Sequence, residues 1–344
     1  MNTTILTFLL LSLSLGTIIT ASSSHWLLAW AGLEMNTLAI IPLISKQHHP
    51  RATEAATKYF LIQSTASALI LLSSTMNAWK TGQWDIHQLT TQEATITLTL
   101  ALAMKLGLAP MHFWVPEVLQ GSTLPIATII STWQKLAPTS LLLLTFNSLN
   151  STTLITLGLL STLLGGWLGL NQTQTRKIMA FSSIAHMGWL FMALTINPNI
   201  TLITLATYLL LTTTMFTTLA LTTSKTLLDL GTTSPQHSTL LTGSMLTLMS
   251  LGGLPPLTGF MPKWLILTEL APNLPLISTL LGLSTLPSLF FYLRMSQMTT
   301  LTLPPKTTLI EYKWRFKTNM PSTAPTIALS TLLLPITPLI LNFN

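Results

Sequence analysis

LGGLPPLTGFMPKW, residues 251–264, puts two adjacent glycines, two adjacent prolines, a third glycine, another proline and then Lys263 inside a stretch otherwise too apolar for water. Proline donates no backbone hydrogen bond, and Gly252, Gly253 and Gly259 weaken a helix further, so a membrane-spanning helix that enters here must break around Pro255, Pro256 and Pro262. Lys263 lies at that break. An ammonium in hydrocarbon costs about 2.5 to 3.5 kcal/mol, and irregular backbone persists at membrane depth only where protein or a water-filled cavity surrounds it. A lysine beside broken backbone therefore marks a pathway. Residues 102–116, LAMKLGLAPMHFWVP, have the same character: Gly107 and Pro110 interrupt an apolar run, with Lys105 before the break and His112 after it. A pair of Gly/Pro-interrupted segments in corresponding halves of a membrane chain is the sequence mark of a transport site.

Composition fixes the class. Charged residues make up 7% of 344 and hydrophobic residues 49%, whereas soluble domains carry about 25% charge. Residues 136–175 and 178–224 contain no Asp, Glu, Lys or Arg, and each leaves room for about two spans of roughly 20 residues. Much of the remaining polarity is Thr and Ser, whose hydroxyls can bond back to their own helix and so are tolerated in lipid. The chain has no cysteine, which excludes disulfides, thiolate-held iron–sulfur clusters and Cys-ligated zinc. The first apolar run lacks a basic n-region and is long for a signal segment, so it reads as a retained helix. No GxGxxG, Walker or HExxH motif occurs, leaving nucleotide binding and zinc proteolysis unsupported, and the histidines form no convincing pair for clamping a haem.

The expected fold is an all-α polytopic membrane protein with about eleven transmembrane helices. They fall near 2–22, 25–44, 52–78, 94–121 (broken at Gly107 to Pro110), 123–146, 150–171, 175–195, 198–223, 238–271 (broken at Gly252 to Pro262), 274–297 and 323–342. Connections after even-numbered helices, with the adjoining helix ends, carry eleven basic residues, from Lys46 and Arg51 to Arg315 and Lys317, while those after odd-numbered helices carry only Lys80. Such asymmetry puts the N-terminus on the positive, inner side and the C-terminus outside. It also accounts for the net charge of +7 without nucleic-acid binding.

The count implies an inverted repeat: a first five-helix block over 1–146 and a second over 150–297 that enters from the opposite side. A basic interfacial loop (298–322) and a C-terminal transmembrane helix (323–344) follow. On this pairing the broken helix with Lys105 corresponds to the broken helix with Lys263, although one lysine precedes its break and the other follows it. Glu34 and His186 occupy the middles of a second matched pair.

Glu34, Lys105, Lys135 and Lys263 are the acidic and basic residues expected deep in the membrane; His112, His186 and Glu117 are marginal additions. Unpaired, the four would cost about 10 kcal/mol, so they must be paired, neutral or wet. One carboxylate cannot pair three ammoniums, and a lysine poised between neutral and charged forms can exchange a proton. Blander readings stand beside this one. Glu34 with a lysine also makes a purely structural ion pair, His186 reads equally as a packing residue, and Glu117 as an interfacial group. Lys135 reaches the interface only if its helix is shifted, since it sits about 12 residues from either end. The aromatic and basic alternation from Tyr312 to Lys317, and Trp79 and Trp84 on the other side, read as interfacial anchors.

The strings WAGLEMNTLAIIPL (30–43), KLGLAPMHFWVPEVLQG (105–121), WQKLAP (133–138), SSIAHMGW (182–189) and LGGLPPLTGFMPKW carry a resemblance, from end to end, to the antiporter-like membrane subunits of respiratory complex I, NADH:ubiquinone oxidoreductase. Those subunits are related to the large subunits of multisubunit cation/proton antiporters. The resemblance implies a part in proton translocation across the mitochondrial inner membrane, multi-pass, with the N-terminus on the matrix side and the C-terminus on the intermembrane-space side. Position by position it implies that Glu34 pairs with Lys105, that Lys135 is the central relay lysine, that Lys263 is the lysine of the second broken helix, and that His112 and His186 lie along the hydrated axis. It implies no cofactor on this chain, since NADH, FMN, iron–sulfur clusters and ubiquinone belong to other subunits. The implied partners are other membrane-arm subunits, accessory subunits and membrane lipids. Eleven helices fit the animal form, which lacks the first three of the bacterial fourteen and so exposes a surface for partners to cover; the lack of a targeting peptide fits synthesis inside the organelle. The alternatives are a stand-alone cation/proton antiporter and a non-conducting scaffold of the same assembly.

Overall fold

The computed structural model describes residues 3–46, 48–232, 238–300, 323–332 and 334–336. Among these, regular structure is helical, with two isolated β-bridges, His25 to Asp85 and Gln174 to Thr226. The chain divides into two compact units, Met1–Ser161 and Thr162–Asn344.

The first unit contains α1 (Thr3–Ser22), α2 (Trp26–Ser45), α3 (Pro50–Thr81), α4 (Gln92–Leu106), α5 (Trp114–Gly121), α6 (Leu124–Ser131) and α7 (Trp133–Leu144), and α8 (Ser151–Gly169) begins in it. The helices start where side chains can take up free backbone N–H groups. His25 caps α2 by accepting from Leu27 N at 3.2 Å, and His49 caps α3 by accepting from Arg51 N at 3.3 Å, with Pro50 in the first turn. Small residues let α1 and α2 touch backbone to backbone, the packing mode expected where lipid removes the hydrophobic drive between helices. A Cβ on Gly16 would lie 2.5 Å from Asn36 Oδ1 and 2.8 Å from the Gly32 carbonyl oxygen. Gly16→Ala is therefore expected to lower stability by about 1 to 3 kcal/mol through overpacking, read as a fall in the thermal midpoint; an unchanged midpoint would show that α1 and α2 can part without cost.

The second unit contains the rest of α8, then α9 (Thr175–Leu194), α10 (Pro198–Thr222), α11 (Leu227–Thr232), α12 (Ser238–Gly252), α13 (Phe260–Asn273), α14 (Pro275–Thr300) and α15 (Ala324–Leu332). Nearly all of α9 is buried, so it forms this unit's centre. Gly165 meets the backbone of Phe181 and Ala185 on α9, and Gly169 meets the Phe291 ring on α14. Asn197 caps α10 and a Thr226/Asp229 capping box opens α11, each side chain accepting from the other's backbone N–H. Hydroxyls bond back along their helices throughout, as at Ser182 to the Met179 carbonyl and Thr212 to that of Tyr208.

Among the described residues, seven helices, α1, α2, α3, α8, α9, α10 and α14, are each long and apolar enough to cross a bilayer. The expected spans at 94–121, 123–146 and 238–271 are instead divided into α4/α5, α6/α7 and α12/α13. Of the span at 323–342, α15 covers the first part, and 337–344 lies outside the described residues, as does most of the loop 298–322. Seven crossings are thus supported by helix length among the described residues, and the divided segments account for the other expected spans only if their half-helices cross together. The split at Thr132, between α6 and α7, was not foreseen. Pro138 lies inside α7 and removes an N–H from its ladder, so this segment is weakened next to Lys135.

Candidate functional site

Both expected breaks are present, with shifted bounds. The first runs from Gly107 to Phe113, three residues past Pro110. The second runs from Gly253 to Gly259: Gly252 is the last residue of α12, and Pro262 sits in the first turn of α13, where a missing N–H costs nothing. Both helices end in the same way. Gly107 and Gly253 adopt left-handed φ of 77° and 81°, which glycine tolerates for want of a Cβ. The following residue then donates back to the carbonyl five positions earlier, Leu108 to Ala103 at 2.9 Å and Leu254 to Met249 at 3.3 Å, as in a Schellman cap.

A helix end leaves four carbonyls without helical partners, and in a bilayer each must find one. For α4 the Ala103 carbonyl accepts from Leu108 N, and the Met104 carbonyl from Gly107 N and, at 3.2 Å, from Trp114 Nε1. The Lys105 carbonyl accepts from Gln63 Nε2 at 3.3 Å, and the Leu106 carbonyl from Lys135 Nζ at 2.5 Å. For α12 the Met249 and Ser250 carbonyls are taken by Leu254 N and Gly253 N. The last two, on Leu251 and Gly252, both accept from Lys263 Nζ, at 3.4 and 2.8 Å. One lysine in the second unit thus does what Gln63 and Lys135 do in the first.

These contacts revise the expected correspondence. By position in the helix count Lys105 matches Lys263; by hydrogen bonding Lys135 does, because each donates to the carbonyl just before the left-handed glycine. The C-terminal end of a helix carries roughly half a negative charge, so both ammoniums are compensated by backbone without a carboxylate.

The first centre is buried between α2, α3, α4 and α7. Lys105 is 5% exposed and Lys135 3%. They share a cavity of about 10 Å³, counted as space for a water's centre, with Asn36, Tyr59, Gln63 and Gln134 among its walls. That is room for about one water. Tyr59 Oη donates to Gln134 Oε1 at 3.4 Å, and Gln134 Nε2 to the Asn36 carbonyl at 3.3 Å. Lys105 Nζ and Glu34 Oε2 are buried with no protein hydrogen-bond partner. Glu34 and Lys105 therefore do not form the expected contact pair; the ion pairs within 4.0 Å among the described residues are Lys58–Glu54, Lys58–Glu117 and Lys80–Glu93. Glu117 joins neither centre: it is half-exposed and pairs with Lys58 of α3 at 2.6 Å.

The second centre lies between α9, α10, α12, α13 and α14. Its cavity, about 20 Å³ on the same measure, is walled by His186, Thr204, Thr207, Tyr208 and Lys263. His186 Nε2 lies 3.3 Å from Tyr292 Oη, and its ring packs against that of Tyr208, 5.6 Å between centroids. His186 thus joins Lys263. His112 joins neither centre: its Nδ1 lies 3.2 Å from the Pro110 carbonyl oxygen inside the first break, and its ring packs on Phe113.

Sequence reasoning missed Asn36, Gln63, Gln134 and the tyrosines. A signal was present, since the chain has only four tyrosines and three of them, Tyr59, Tyr208 and Tyr292, stand at the two centres.

Broken helices whose bare carbonyls are held by buried lysines, each beside a small polar cavity, define a membrane chain of the secondary-transporter type. Residues 23–288 match the family model described as NADH:quinone oxidoreductase/Mrp antiporter, TM, and residues 289–341 match that of the NADH dehydrogenase subunit 2 C-terminus. NADH-ubiquinone oxidoreductase chain 2 of Gallus gallus is 56% identical over 336 residues, 96% of each chain, and that of Oncorhynchus mykiss 54% over 343 residues, 98% of each. Among solved structures, a chain of respiratory complex I from Thermus thermophilus superposes with a TM-score of 0.85 at 28% identity, over 97% of this chain and 78% of that one. A chain of the Mrp complex from Dietzia sp. shares the fold, with a TM-score of 0.81 at 16% identity over 97% and 75%. The chain belongs to the NADH:quinone oxidoreductase/Mrp antiporter membrane family, in the branch of the NADH-ubiquinone oxidoreductase chain 2 proteins.

Proposed function

We propose that this chain is a membrane-arm subunit of a proton-translocating NADH:ubiquinone oxidoreductase in the mitochondrial inner membrane, with its N-terminus on the matrix side, and that Lys105, Lys135 and Lys263 are its proton-exchange groups. The observation that carries the assignment is the repeated contact of a buried lysine with the last carbonyl of a broken helix. The repetition, with the matching glycine ends, also supports two blocks that each carry one broken helix.

The geometry suits proton exchange for a definite reason. A protonated Lys135 or Lys263 is held by a helix end, and a neutral one still has an N–H for the same carbonyl, so gaining or losing a proton there requires little movement. Lys105 and Lys135 face one cavity, where two ammoniums repel. A proton arriving at one therefore favours departure from the other. His186, which lines one cavity with Lys263, serves as that lysine's neighbour in exchange. Redox chemistry in the assembly belongs to other chains, and its coupling to this one is electrostatic.

Purification from the native membrane tests the assignment. The chain is expected to come away with a large flavin- and iron–sulfur-containing assembly that oxidises NADH. An isolated, transport-competent chain would favour a stand-alone cation/proton antiporter.

A further inference from the structure

Asn36 is 2% exposed, and neither polar atom of its amide has a protein hydrogen-bond partner. That is an expensive arrangement for a buried amide, and a residue so placed calls for a ligand. Its amide is held in place on the Oδ1 side, where Gly16 on α1 packs so closely that a Cβ there would lie 2.5 Å from Oδ1, leaving Nδ2 as the group free to bind. In front is the cavity it shares with Lys105 and Lys135, and Lys105 Nζ is likewise buried and without a partner. Tyr59, Gln63 and Gln134 line the same space, but each already makes a hydrogen bond to protein. A cavity of about 10 Å³ admits about one water, and a water needs two to four polar partners.

We propose that Asn36 and Lys105 hold a single structural water, and that Asn36 is a positioning residue that orients this water between Lys105 and Lys135. The water takes a proton from the Lys105 ammonium as it gives one of its own to the neutral Lys135 amine. Lys105 is left neutral and Lys135 charged, and the water is regenerated. The amide, which neither gains nor loses a proton at neutral pH, fixes the water's orientation without competing for the charge. This inference rests on the proton-exchange reading above and adds a residue and a ligand to it.

The test compares Asn36→Leu, which keeps the γ-branched shape and removes the hydrogen bonds, with Lys105→Met in the assembled complex, reading NADH-driven proton flux into sealed vesicles in H2O and D2O. Asn36→Leu is expected to lower the flux about tenfold, the worth of one hydrogen bond lost from a transfer path, and to change the solvent isotope effect. Normal flux and isotope effect in Asn36→Leu, with flux lost in Lys105→Met, would overturn the Asn36 proposal alone; normal flux in both would overturn the proton-exchange reading. Should Asn36→Leu fail to assemble, a high-resolution map of the unaltered complex decides. Water density within hydrogen-bond reach of both the Asn36 amide and Lys105 Nζ supports the site, and a direct Asn36–Lys105 contact excludes it.

Discussion

Replacing Lys263 by alanine is expected to cut NADH-driven proton translocation by about a hundredfold, on the scale of losing a proton-transfer group, and to destabilise the second unit as well. Both effects come from one nitrogen. Lys263 Nζ is the donor to the last two carbonyls of α12. Without it two buried acceptors lose their partner, at about 1 to 3 kcal/mol each. Lys263→Arg separates the two roles. Arginine retains charge and donors but does not deprotonate, so the arginine variant is expected to assemble and keep its thermal stability while its proton flux falls as in the alanine variant. Native gels, thermal denaturation and flux into sealed vesicles read the three quantities. An arginine variant with full flux would show that Lys263 only caps the helix.

Gly259→Ala is expected to damage the second centre more than its size suggests. A Cβ at this position would lie 1.7 Å from the Ser250 carbonyl oxygen, and that oxygen is part of the cap that ends α12. Backbone cannot yield as a side chain tip can, so the start of α13 must move away from the end of α12 and carry Lys263 off its two carbonyls. Overpacking costs about 1 to 3 kcal/mol where side chains can yield, and a clash with backbone lies at or above the top of that range. Gly253→Ala should fail in a more local way. Its φ of 81° disfavours any side chain, and its Cβ would lie 2.8 Å from Lys263 Cδ, displacing the lysine itself. Gly259→Ala is thus expected to reduce the amount of assembled complex, and Gly253→Ala to leave more of it assembled with its flux impaired. Normal thermal stability in Gly259→Ala would mean that the two half-helices are not packed as described.

What could be read from residue order was the chemistry that is rare in a membrane chain. Lysines, a mid-helix glutamate and Gly/Pro clusters stand out against an apolar background, which is why Lys105, Lys135, Lys263 and both breaks were located in advance. Three kinds of feature were not legible. The ends of the breaks depend on local φ and on which residues close the cap, so Pro262 was placed in a break and lies in a helix. The interruption at Thr132 hides in a strongly apolar run, and only Pro138 hinted at it. Partners across helices were the hardest. The carbonyls that Lys135 and Lys263 address are backbone and leave no mark in the sequence, and the pairing of Glu34 with Lys105, which the resemblance implied, is not made as a contact. Helix ends, invisible in composition, supply much of the negative charge.

Lys105→Met offers the most direct measurement of the central claim, because Lys105 Nζ makes no protein hydrogen bond and its replacement by an apolar side chain of similar length leaves no protein donor or acceptor newly unpaired. Protons translocated per NADH oxidised should be counted in the purified, reconstituted complex, alongside its flavin and iron–sulfur content. The account predicts normal assembly and cofactor content with a lowered proton-to-electron ratio. An unchanged ratio at normal turnover would contradict it.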